Sequence, residues 1–129
     1  MARLVLGVVA LWFALVGAVM WIAPVHWYEN TPGVVLTGPF NAHFVADIAL
    51  VFAVSAAIVA AGIWRRDRWL SLAGLAWPLM HALYHLWLWL VVGNCAQGEL
   101  IANLAGIQAP VWAGILAGFG LKNNEGEEA

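Results

Sequence analysis

Four stretches of this chain, at about residues 4–23, 42–64, 69–93 and 100–121, are too long and too apolar to be solvated by water alone. Each holds roughly 20 or more residues, which at a rise of about 1.5 Å per residue gives some 30 Å, the thickness of a bilayer's hydrocarbon core. A backbone in hydrocarbon must satisfy its own N–H and C=O groups, so an open sheet edge is excluded and each stretch reads as a helix. The expected fold is therefore all-α: a polytopic membrane protein, a four-transmembrane-helix bundle over 1–121, with a polar acidic tail at 122–129. Composition agrees. Of the 129 residues 64% are hydrophobic and 9% charged, against about 25% charged in an average soluble domain.

The first stretch also has to be weighed as a secretion signal. A signal's apolar core runs about 7–15 residues and ends at a small-x-small site. Here the apolar run is longer and exits through Trp21, Trp27 and Tyr28, an aromatic belt of the kind that marks a membrane surface. It reads as a retained helix.

Residues 24–41 read as a loop, punctuated by Pro24, Pro32, Gly33, Gly38 and Pro39. Asn41 occupies an N-cap position before the second stretch. Between the second and third stretches, Arg65-Arg66-Asp67-Arg68 is too charged for hydrocarbon and short enough to make these helices antiparallel neighbours. Arg3, Arg65, Arg66, Arg68 and Lys122 are the five lysines and arginines of the chain. With four spans they all fall on one side, and the positive-inside rule puts that side, with both termini, in the cytoplasm.

Packing is expected through small residues: Ala53, Ala56, Ala57 and Ala60 on the second helix, and Gly106, Ala113, Ala117 and Gly120 on the fourth. Pro78 frees the carbonyl of Gly74 and Pro110 that of Gly106, so kinks are expected in the last two helices. Ser55 and Ser71 read as helix-contact or turn residues. Among the nine tryptophans, Trp64 and Trp69 flank the cytoplasmic turn, whereas Trp77, Trp87, Trp89 and Trp112 lie deeper as packing or lipid-facing residues.

Ionisable residues inside apolar stretches are costly and mark candidate sites. There are four: His43, Asp47, His81 and His85. Each pair is spaced by four and shares a helical face. From the helical rise, Asp47 lies roughly 8 Å, His85 roughly 12 Å and His81 roughly 18 Å from the outer surface. On neighbouring helices they are expected to converge in the outer half of the bundle, with Tyr84, Asn41 and Asn103 close by.

Three uses of such a cluster stay open. It binds a transition metal (zinc, copper or iron) through His43, Asp47, His81 and His85, because imidazole and carboxylate on helices are ligands for these ions. Alternatively it is a hydrogen-bond network that pins helices in a non-catalytic accessory or structural subunit. Or it serves haem or proton transfer, haem being the weaker fit because two histidines four apart on one helix cannot both be its axial ligands.

His26, in the outer loop, is a belt residue or a flexible fourth ligand. Cys95 stands alone and makes no intramolecular disulfide. The sequence has no phosphate-binding glycine loop and no recognisable nucleophile–base arrangement. A net charge of −2 without a basic run speaks against nucleic acid. The expected partners are the lipid bilayer and a second copy or a larger membrane complex.

The pattern Trp27-Tyr28, Pro32-Gly33, Thr37-Gly38-Pro39-Phe40-Asn41-x-His43-Phe44-x-x-Asp47 and His81-x-x-x-His85 resembles small four-helix inner-membrane proteins of bacteria, DoxX-like in size and layout. The resemblance covers most of the chain. It implies four helices in a bacterial cytoplasmic membrane and carries no activity with it.

Overall fold

The computed structural model of the chain describes residues 1–93 and 97–123. Its elements are helical throughout the described residues. They are α1 (Ala2–Ile22), α2 (Pro24–Asn30), a 3₁₀ turn (Val34–Thr37), α3 (Ala42–Arg65), α4 (Arg68–Gly74), α5 (Ala76–Trp87), a π segment (Leu88–Val92), α6 (Gln97–Asn103), a second π segment (Leu104–Gln108) and α7 (Ala109–Phe119).

The expectation of four transmembrane helices is corrected. Among the described residues, three helices are long and apolar enough to cross a membrane: Ala2–Ile22, Ala42–Arg65 and Glu99–Phe119. Only 33%, 28% and 28% of the residues in their most apolar stretches are buried. The rest of that apolar surface faces outward, with Leu4, Trp64, Ile101 and Leu116 all more than two-thirds exposed, so these helices meet lipid.

The third apolar run is not one helix. It is broken into α4, of seven residues, and α5, of twelve, followed by the first π segment. Pro78 explains the break: it has no N–H to give to Gly74, and its ring crowds that carbonyl. Leu75, at the break, turns fully into the core beside Val9 and Gly114.

The fourth run stays continuous but changes pitch. Pro110 cannot donate to Gly106, and the ladder widens so that Ala109 N–H donates to Leu104 O, five residues back. The Gly106 carbonyl, short of its usual partner, accepts instead from the indole Nε1–H of Trp12 on α1 at 3.1 Å. A π turn inside an α-helix is a frequent companion of such rearrangements.

Residues 24–41 are also more ordered than a loop. Ala23 leaves the helical region at φ −133°, ψ 60°, and Pro24 then starts α2, a position where its missing N–H costs nothing. Tyr28 donates from its hydroxyl to Gly38 O at 2.7 Å, and its ring meets Phe40 edge-on. The Asn41 cap is as expected: its Oδ1 accepts from Phe44 N at 3.1 Å. At the other end of α3, Arg66 takes a left-handed conformation (φ 51°) and Asp67 caps α4 by accepting from Leu70 N at 3.0 Å.

Helices α3 and α4 are close antiparallel neighbours. A Cβ at Gly62 would overlap Ser71, and one at Gly74 would come within 2.8 Å of Val59 N. Ser71 is fully buried, its hydroxyl donating to Asp67 O at 3.1 Å. Leu6, Val9, Phe13, Val59, Leu75, Ala82 and Val111 form the main core. A smaller one, of Met20, Val45 and Ala49, lies toward the α2 end.

The chain's basic residues gather at one end. A Cβ at Gly120 would lie 3.9 Å from Ala2 Cβ, and Arg68 N donates to Asn123 Oδ1 at 2.9 Å. Arg3, the 65–68 turn and Lys122 therefore share that end. At the opposite end, Gly33 packs on the side chain of Glu99.

Three expectations follow. Gly62→Ala should cost about 1–3 kcal/mol through overpacking, read as a lower thermal midpoint in detergent micelles. Gly7→Ala, where an added Cβ meets nothing within 4 Å, should stay within about 0.5 kcal/mol. In a double-mutant cycle, Trp12→Phe should cost about 1 kcal/mol in the native chain. It should cost clearly less in a Pro110→Ala background, where residue 110 regains an N–H for Gly106.

Candidate functional site

Helix periodicity alone puts His81 and His85 on one face of α5, and the structure keeps them together. Their ring centroids lie 4.5 Å apart at 66°. His81 stacks on Trp77 at 5.0 Å and 11°, Trp77 meets Phe52 of α3 edge-on at 5.3 Å, and Phe52 lies 5.7 Å from Phe13 of α1. Both imidazoles are thus held by aromatic faces, with Tyr84 5.9 Å from His85.

His43 and Asp47 do not join them. They form their own i, i+4 pair at 3.4 Å, with side chains 89% and 55% exposed. The four-residue convergence expected from depth is therefore absent: a matching level along the axis does not fix the angle about it. At the first turns of α3, where Asn41 caps the helix, the outward face gives both groups solvation that an inward one would remove.

The metal-binding function expected from the sequence is overturned. Among the described residues, no three His, Cys, Asp or Glu side chains come together as a set able to hold an ion. His26 is bound to its own helix, with Asn30 Nδ2 3.1 Å from its Nδ1. Cys95, and the acidic tail from Glu125 to Glu128, lie outside the described residues. The haem and proton-transfer alternatives shared the same four-residue cluster and lose it too, as does the His/Asp network.

A different polar group is buried instead. Among the described residues the buried polar side chains are Ser55, Ser71, Asn103 and Gln108, none of them charged. Gln108 is engaged at both ends of its amide: its Nε2 donates to Ala82 O of α5 at 2.9 Å and to Asn103 Oδ1 at 3.0 Å, and its Oε1 accepts from Trp112 Nε1 at 3.0 Å. Asn103 Nδ2 lies 3.4 Å from His85 Nδ1. With the amide as donor, His85 accepts at Nδ1 and carries its proton on Nε2.

The π segment makes this ladder. Asn103 and Gln108 are five apart, a spacing that diverges on an α-helix but stacks on a π turn. Proline at 110 thus reaches the site through the pitch of the backbone. Of the polar neighbours expected around the histidines, Asn103 is in the ladder, Tyr84 touches His85, and Asn41 is only a helix cap. Trp12 and Gln108 escaped the sequence reading. An i, i+5 Asn/Gln pair just ahead of a proline was the available signal for Gln108.

Chemically the ladder is neutral and directional, with every donor running from Trp112 toward His85. It ties α5 to the helix that follows and exposes no charged group to hydrocarbon. Comparison with protein-family models, with curated proteins and with solved structures finds no match.

Gln108→Leu should destabilise the protein by about 1–3 kcal/mol, since it strands partners on three sides. His43→Ala and Asp47→Ala should each change stability by less than about 1 kcal/mol, as exposed pairs do. Detergent-induced unfolding of the three variants checks both statements.

Proposed function

We propose that this chain is an integral protein of a bacterial cytoplasmic membrane, inserted with its basic end in the cytoplasm, and that it acts through its outward-facing apolar surface on lipid and neighbouring membrane proteins. The observation that carries the orientation is the gathering of Arg3, Arg65, Arg66, Arg68 and Lys122 at one end, argued from the approach of Ala2 to Gly120 and of Arg68 to Asn123. Basic residues at a membrane face are retained on the cytoplasmic side during insertion. The opposite end, with α2, the 3₁₀ turn and Glu99, carries acidic residues and histidines and has no lysine or arginine among its described residues.

The polar ladder supports an architectural role for the interior. Gln108 has each donor and its carbonyl engaged within the protein, which fits a clamp between α5 and its neighbour better than a receptor for a polar substrate. The broken run from 68 to 92 needs such a clamp, because its pieces are too short to be held by their own length.

Reporter fusions test the orientation. A fluorescent protein fused at residue 129 should fluoresce, and alkaline phosphatase inserted between Pro32 and Gly33 should be active. The opposite pattern at both positions would refute the insertion proposed.

A further inference from the structure

Helices α1 and α3 enclose an open apolar groove of about 750 Å³, floored by small side chains, among them Gly7, Ala14 and Ala18 on α1 and Ala53, Ala57 and Ala60 on α3. It runs along α1 from Gly7 to Ile22, roughly 22 Å at the helical rise. The groove is lined almost wholly by apolar atoms and opens to the outer surface, so a hydrocarbon chain can lie along it.

The ends of the groove differ in charge. Arg3 precedes Gly7 by one turn on the same face of α1, and Arg65 and Arg66 follow Ile63, the last groove residue of α3. All three arginines are exposed. Trp64, 87% exposed, stands beside them at the level where an aromatic ring meets lipid headgroups. The far end, at Trp21 and Ile22, has no basic residue near it in the chain.

We propose that this groove seats one acyl chain of an anionic phospholipid, with the phosphate of its headgroup at Arg3, Arg65 and Arg66. Small residues leave the space, and the arginines select the sign of the headgroup. Which leaflet supplies the lipid rests on the orientation proposed above; the binding itself does not, because a micelle has no sides.

Native mass spectrometry of the full chain in detergent, supplied with dioleoyl phosphatidylglycerol or dioleoyl phosphatidylcholine, tests this. The expected result is one retained lipid, with phosphatidylglycerol favoured at least about fivefold, the effect of one basic residue near an anionic headgroup. Ala57→Leu and Gly7→Leu, both at exposed positions, should abolish retention of either lipid without lowering the thermal midpoint. Arg3→Gln with Arg65→Gln and Arg66→Gln should bring phosphatidylglycerol down to the phosphatidylcholine level. Equal retention of the two lipids by the native chain would overturn the proposal. So would undiminished retention in a folded groove-filled variant, or a lipid-free dimer lost on the same substitutions. Because the readout is lipid mass, it can fail while the reporter fusions succeed, and the reverse.

Discussion

A carbonyl that has lost its partner in hydrocarbon has to find another, and two prolines impose that demand on this molecule. Each removes one N–H from a helix surrounded largely by lipid and core. The two sites resolve it differently. At Pro78 the helix breaks, and Leu75 fills the gap as part of the core. At Pro110 the helix continues by widening its turn, and an indole from α1 reaches across to Gly106. The second solution joins the first and last long helices through a polar contact where otherwise only dispersion would hold them.

The same economy of polar groups shapes the interior. No driving force comes from excluding water between helices in a bilayer, so contact depends on close approach and on hydrogen bonds. Gly62 and Gly74 bring the backbones of α3 and α4 together, and Gln108 supplies the bonds between α5 and the helix bearing Asn103. These two devices sit on either side of the break, one per fragment. Each fragment is thus fastened to a continuous helix.

Much of this could be read from residue types. The apolar runs set the all-helical class, Asn41 announced its cap, and the two prolines marked where the helices depart from regularity. The basic residues do share one end, although the chain returns there through a broken run and not through four spanning helices. What could not be read is azimuthal. Four-residue spacing shows which side chains share a face but not where that face points, and His43 and Asp47, expected inward, lie outward. A proline in an apolar run predicts a kink; here the run breaks outright, with Leu75 at the break buried in the core. Trp12 is hidden for another reason: an aromatic in the middle of a span looks like packing until a carbonyl 94 residues further along the chain is known to need it.

A π turn is an α-helix carrying one surplus residue, and the segment from Leu104 to Gln108 therefore behaves as a stored insertion. Excising a single residue from it would heal the regular pitch and leave the flanking helices in phase, because residues five apart on a π turn become residues four apart on an α-helix. Asn103 and Gln108 would still share a face, and α6 would present the same side to the bundle. The surplus residue is thus absorbed where it stands, and what the region conserves is the phase of its two flanks rather than its length.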